Sequence, residues 1–292
     1  MRSSNPVFSR RGFSRDNGYA GFNAQQQAGG PAAGTNPYAT NPYATNPYAQ
    51  QGTVLGDPGQ APARSGAMTI DDVVSRTAIT LGTVVATAAL AWFLLPVDPA
   101  NLTKSYGIGI GAALIAFVFA MIQSFKSKPS PAIILAYAAF EGVFLGVISS
   151  TVTTYVGAGV VPQAVLGTMA VFAGVLIAYK MRWIRVNRRF AGFVTAAAIG
   201  FVLLMAVNML FAVFGGGDGL GFRSGPLGIV FGIIGIILGA CFLALDFKQV
   251  EDGLTYGAPR EESWLAAFGL TMTLVWIYLE FLRLIQIFMG ED

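Results

Sequence analysis

Seven separate apolar runs, each about twenty residues long, leave this chain few ways to fold. They cover roughly residues 77–95, 105–124, 131–155, 160–179, 190–214, 226–246 and 264–288. A helix needs about 20 residues to cross a hydrocarbon core of about 30 Å, so each run predicts one transmembrane helix. The backbone inside lipid must be helical, because each unpaired amide costs several kcal/mol there. A β-barrel would need strictly alternating segments of about ten residues, and none is present. With 54% hydrophobic and only 11% charged residues, the 292-residue chain has too few charges to coat a soluble globule of its size. The expectation is an all-α membrane protein, a bundle of seven transmembrane helices over residues 69–292.

Residues 1–68 differ sharply in composition. They are rich in Gly, Ala, Asn, Gln and Pro, and Thr-Asn-Pro-Tyr-Ala repeats from Thr35, Thr40 and Thr45. Such a segment buries too little apolar surface to offset its ordering entropy, so it reads as a disordered, low-complexity cytoplasmic tail. No apolar stretch follows Arg2, Arg10, Arg11 and Arg15, which argues against a secretory signal. The basic residues alternate in location. Tail arginines, Arg76, Lys126, Lys128, Lys180 to Arg189, Lys248 and Arg260 fall on one side of the spans, against Lys104 and Arg223 on the other. The positive-inside rule then predicts a multi-pass membrane protein with its N-terminus in the cytoplasm.

Several kinds of chemistry lose their means. There is no histidine, so proton shuttles, common metal sites and Ser-His-Asp or Cys-His nucleophiles are missing, and the lone Cys241 sits in an apolar run as a packing residue. Gly215-Gly216-Gly217-Asp218 matches a Gly-x-Gly-Asp protease pattern but falls in a loop without a second carboxylate opposite it. Gly107, Gly109 and Gly111 lie inside a span, not in a phosphate-binding loop. The cluster Lys180 to Arg189 reads first as a topology signal, ahead of a lipid-headgroup or nucleic-acid patch. Small residues at Gly142 and Gly146, and at Gly228, Gly232, Gly235 and Gly239, predict close helix contacts within one chain. The chain is therefore not expected to be an enzyme, and no cofactor or metal ligand set is assigned.

Ionisable groups inside spans are costly and mark functional candidates. Four stand out: Glu141, Asp246, Glu280 and Arg283. Glu280 and Arg283, three apart, suit a structural ion pair that lowers insertion cost. At 1.5 Å per residue Glu280 lies roughly 24 Å beyond Trp264, Glu141 about 15 Å beyond Pro131, and Asp246 about a turn from the cytoplasmic loop. Asp246 and Glu280 meet only if the sixth helix continues past Lys248 or the seventh begins well outside the membrane. Otherwise Glu141 is the nearer neighbour of Glu280.

The segments Ala244-Leu245-Asp246-Phe247-Lys248-Gln249-Val250 and Trp276-Ile277-Tyr278-Leu279-Glu280-Phe281-Leu282-Arg283-Leu284 resemble the Bax inhibitor-1 (transmembrane Bax inhibitor motif, YccA-like) family over residues 75–290. In that family a Tyr-Asp-x-x-Gln segment ends the sixth helix and a Leu-Tyr-Leu-Asp segment lies in the seventh. The chain has Leu245 in place of the tyrosine and Glu280 in place of the second aspartate, departures that fit an actinobacterial-type member. The resemblance implies a central seventh helix wrapped by the other six. It also implies a proton-sensitive calcium leak governed by two carboxylates, carried here by Asp246 and Glu280, with Arg283, Lys248, Lys126 and Glu141 as supporting charges.

These readings converge on a pH-sensitive calcium or cation leak gated by carboxylate protonation. Two close carboxylates would share a proton and switch without histidine. A non-conducting regulator that binds another membrane protein, such as a quality-control protease, is the alternative. A proton-coupled transporter would show halves related by symmetry, and no internal repeat is apparent. Membrane lipids and the permeant cation are the expected partners, with no nucleic acid.

Overall fold

In the computed structural model, residues 66–215 and 219–290 are described, and they form seven helices. These are α1 (Ile70–Leu94), α2 (Leu102–Phe125), α3 (Pro131–Tyr155), α4 (Val160–Lys180), α5 (Arg188–Gly215), α6 (Gly225–Thr255) and α7 (Glu262–Gly290). All seven are long and apolar enough to cross a membrane. The protein is an all-α, multi-pass membrane protein. The tail and the Gly216–Asp218 segment lie outside the described residues.

Two helices run two turns or so beyond their apolar runs. α1 begins earlier because Thr69 caps it: its hydroxyl accepts from the Asp72 N–H while the Asp72 carboxylate accepts from the Thr69 N–H, a reciprocal capping box. α6 runs past Asp246 to Thr255, held by Lys248 pairing with Glu251 at 3.3 Å and Asp252 at 2.9 Å one turn on. This last stretch is polar, so hydropathy alone assigns it to a loop. Along the spans, hydroxyls donate to carbonyls one turn back, as in Thr80 to Arg76, Thr87 to Thr83 and Thr168 to Ala164, which satisfies these donors within their own helices.

α7 is the centre. Half of its most apolar stretch (50%) is buried, against 11% for α5. The backbones of α1, α3, α4 and α6 pack on it, while α2 packs on α3 and α5 on α6. The outer pair reaches α7 through side chains: Ala116 and Ala120 join Phe268 in one cluster, and the Phe201 ring lies 5.9 Å from that of Trp276. The expected sleeve of six helices is therefore an inner four with two outriders. Large apolar side chains that α2 and α5 present outward, such as Phe117 and Leu203, face the place of lipid tails.

Glycines set the closest seams. On α6, Gly228, Gly232, Gly235 and Gly239 meet Ile287, Leu284, Glu280 and Ile277 of α7 in turn. On α3, Gly142 and Gly146 meet α1 at Val84 and Thr87 and at Ala88 and Ala91. Gly109, within helical α2, lies against Val147 of α3. Cys241 is half-buried beside the Val194, Phe201 and Leu238 cluster.

The basic residues gather at one end of the bundle. There the segment before α1 is clasped to the α6–α7 turn: the Met68 N–H donates to Ala258 O (2.8 Å), and the Arg260 N–H to Gly66 O (2.8 Å). Arg260 also pairs with Asp72 (2.8 Å), while the Arg76 guanidinium donates to Arg260 O and Ser263 and lies 5.2 Å over the Trp264 ring. Lys104 and Arg223 stand at the opposite end, with Asp98, whose carboxyl Asn101 holds below the usual range by hydrogen bonds.

Candidate functional site

The ionisable residues of the spans are arranged around α7. Glu280 and Arg283 lie one turn apart on its α6-facing side and form an ion pair, their side chains 8% and 10% exposed. The glycine seam makes this burial possible: a methyl group on Gly235 would sit 2.9 Å from the Glu280 carboxyl carbon, so only a bare backbone leaves room for the acid. Arg283 reaches toward Gly232, and Arg223 from the loop before α6 adds its charge to the field of both. The guanidinium Nε has no acceptor among the described residues, so the pair is incompletely satisfied in a low-dielectric seam.

Asp246 lies on the same seam, nearer the basic end. Its carboxylate accepts from the Thr273 hydroxyl (2.7 Å) and rests over Gly269, where an added methyl would meet it at 3.2 Å. Because α6 continues to Thr255, Asp246 is more than two turns inside the helix end, not at the boundary as hydropathy suggests. The same continuation fixes the antiparallel register of α6 and α7. Asp246 falls opposite Gly269 and Thr273, and Glu280 opposite Gly235, which separates the acids by two to three turns, roughly 10–16 Å. They share a seam but not a proton.

The remaining charges do not bridge the two acids. Glu141 stands on the α3 face toward α7, between Tyr137, whose ring packs 5.1 Å from that of Phe268, and Leu145, which clusters with Val275. That side of α7 is opposite to the one carrying Thr273 and Glu280, so Glu141 neighbours neither acid, and it has no hydrogen-bond or ion-pair partner among the described residues. Lys248, two residues from Asp246, turns away to Glu251 and Asp252. Lys126 caps the exposed end of α2, a helix that packs on α3 far from the α6–α7 seam. Among the described residues, no three acidic or cysteine side chains gather as a metal site.

A family model described as Bax inhibitor 1 like matches residues 5–290. The chain belongs to this family. No curated protein matches it. The match begins at residue 5, so the family region takes in most of the tail that composition sets apart. Within this Bax-inhibitor-like bundle, Glu280 and Arg283 were legible in the sequence as charges well inside a span, and Asp246 as a charge at the end of one. The Thr273 contact, the Gly235 recess and the isolation of Glu141 were not, because each depends on register between helices.

Proposed function

We propose that this Bax-inhibitor-like protein is a proton-responsive leak for cations, calcium foremost, in a bacterial plasma membrane. In this reading the N-terminus is cytoplasmic and the protein is not an enzyme. The observation that carries it is the Glu280–Arg283 pair closed against Gly235 in the α6–α7 seam. While Glu280 is ionised it balances Arg283 and the seam stays shut. Protonation leaves a buried, unpaired guanidinium, which costs several kcal/mol and is relieved by parting α6 from α7 to admit water. Asp246, on the same seam nearer the basic end, offers the hard oxygen ligands that suit calcium. The two carboxylates thus act at separate levels: Glu280 as the latch, Asp246 as a way-station.

The sign follows from the latch. Flux is low where Glu280 is ionised and rises as pH falls through its titration. Calcium uptake into liposomes holding the purified protein, across a pH series, tests this: acid-stimulated uptake is expected, and uptake equal to empty liposomes at every pH contradicts it. The separation of Asp246 from Glu280 favours a second reading, a non-conducting regulator of another membrane protein such as a quality-control protease. In that reading the ion pair only pins α6 to α7, and no flux appears at any pH.

A further inference from the structure

At the basic end, the α4–α5 connection and the end of α6 enclose a cleft of about 460 Å³. Lys180, Arg182, Arg185 and Lys248 line it, with Tyr179 and Glu251. Its acid is already engaged: Glu251 accepts from the Tyr179 hydroxyl and pairs with Lys248, which also holds Asp252. Lys180, Arg182 and Arg185 form no ion pair among the described residues, Arg182 feeling Glu251 only through its field, so the cleft carries net positive charge.

The backbone gives a second indication. α4 closes with the Trp183 N–H on Ala178 O (2.9 Å) and the Arg182 N–H on Tyr179 O (2.9 Å), the pattern in which glycine normally takes the left-handed position. Here Arg182 takes it, at φ 58°. A non-glycine residue there costs roughly 1 kcal/mol, a strain that points to a use for the side chain. Beside it Met181 and Trp183 are exposed, Trp183 at 72%, at the junction of an apolar span and its basic loop. Tryptophan is favoured at the headgroup level of a bilayer.

We infer that this cleft is a binding site for the phosphate of an anionic membrane lipid, with Arg182 and Arg185 as its guanidinium forks and Lys180 as a supporting charge. Forked donors match phosphate oxygens, and the flanking apolar residues place the anion at the level of a lipid headgroup, not free in solution.

The test uses the purified full chain and measures dioleoylphosphatidylglycerol binding in a dioleoylphosphatidylcholine background. Arg182→Asn with Arg185→Gln is compared with Arg188→Gln with Arg189→Gln, which removes equal charge from the first turn of α5, outside the cleft. Asparagine tolerates the left-handed backbone, so the first pair should keep its fold, as its melting temperature without anionic lipid verifies. Affinity should fall about tenfold or more for the cleft pair and less than about threefold for the control. Arg185→Lys, which keeps charge and loses the fork, should fall between. Equal losses in both pairs would make the effect a diffuse surface potential and overturn the site, as would no preference for phosphatidylglycerol. Displacement of the lipid by millimolar inorganic phosphate would mark a soluble-phosphate site and overturn the lipid assignment.

Discussion

Glu280→Gln leaves Arg283 charged, buried and without its partner, which should destabilise the protein by about 3–5 kcal/mol in a melt at neutral pH. Adding Arg283→Met removes the stranded charge and should recover most of that loss. Asp246→Asn should be nearly neutral in the same measurement, since its oxygen can still accept from Thr273. If Asp246→Asn proved as costly as Glu280→Gln, the assignment of the buried pair as the tighter constraint would be wrong. At this scale the i, i+3 spacing of Glu280 and Arg283 made the ion pair readable, because one helix fixes its geometry. The depth of Asp246 was not readable: Lys248, Glu251 and Asp252 resemble a loop in hydropathy, yet their mutual pairing carries α6 on to Thr255.

Among the helices, the small-residue spacings foretold close seams, and the structure supplies their partners. Gly142 meets backbone of α1 at Val84 O, and backbone cannot step aside as a side chain can. Gly111 on α2 has open space. Gly142→Ala should therefore lower stability by about 1–3 kcal/mol through overpacking, whereas Gly111→Ala should be neutral or slightly stabilising by reducing helix entropy loss. Melting temperatures of the two variants in one detergent check this, and equal effects would mean that the α1–α3 seam is looser than described. The number and order of helices followed from hydropathy, because crossing lipid demands length and little else. Which helices surround α7 did not follow, since α5 is as apolar as its neighbours and only the pattern of contacts makes it peripheral.

For the molecule as a whole, the alternation of seven helices puts Lys126, Lys128, the Lys180 to Arg189 loop and Arg260 at one end, and this should be the cytoplasmic one. A cysteine introduced at Arg185 in a Cys241→Ala background should resist membrane-impermeant maleimide in intact cells and react in inverted vesicles. Labelling from outside would reverse the orientation. The central claim is that Glu280, balanced by Arg283, holds the α6–α7 seam against cation flow. It is tested most directly by calcium uptake into liposomes at a series of pH values, comparing the unaltered chain with the Glu280→Gln, Arg283→Met double variant. Uptake that rises with acid in the former and does not vary with pH in the latter is the predicted result; an unchanged pH profile in the double variant would contradict it.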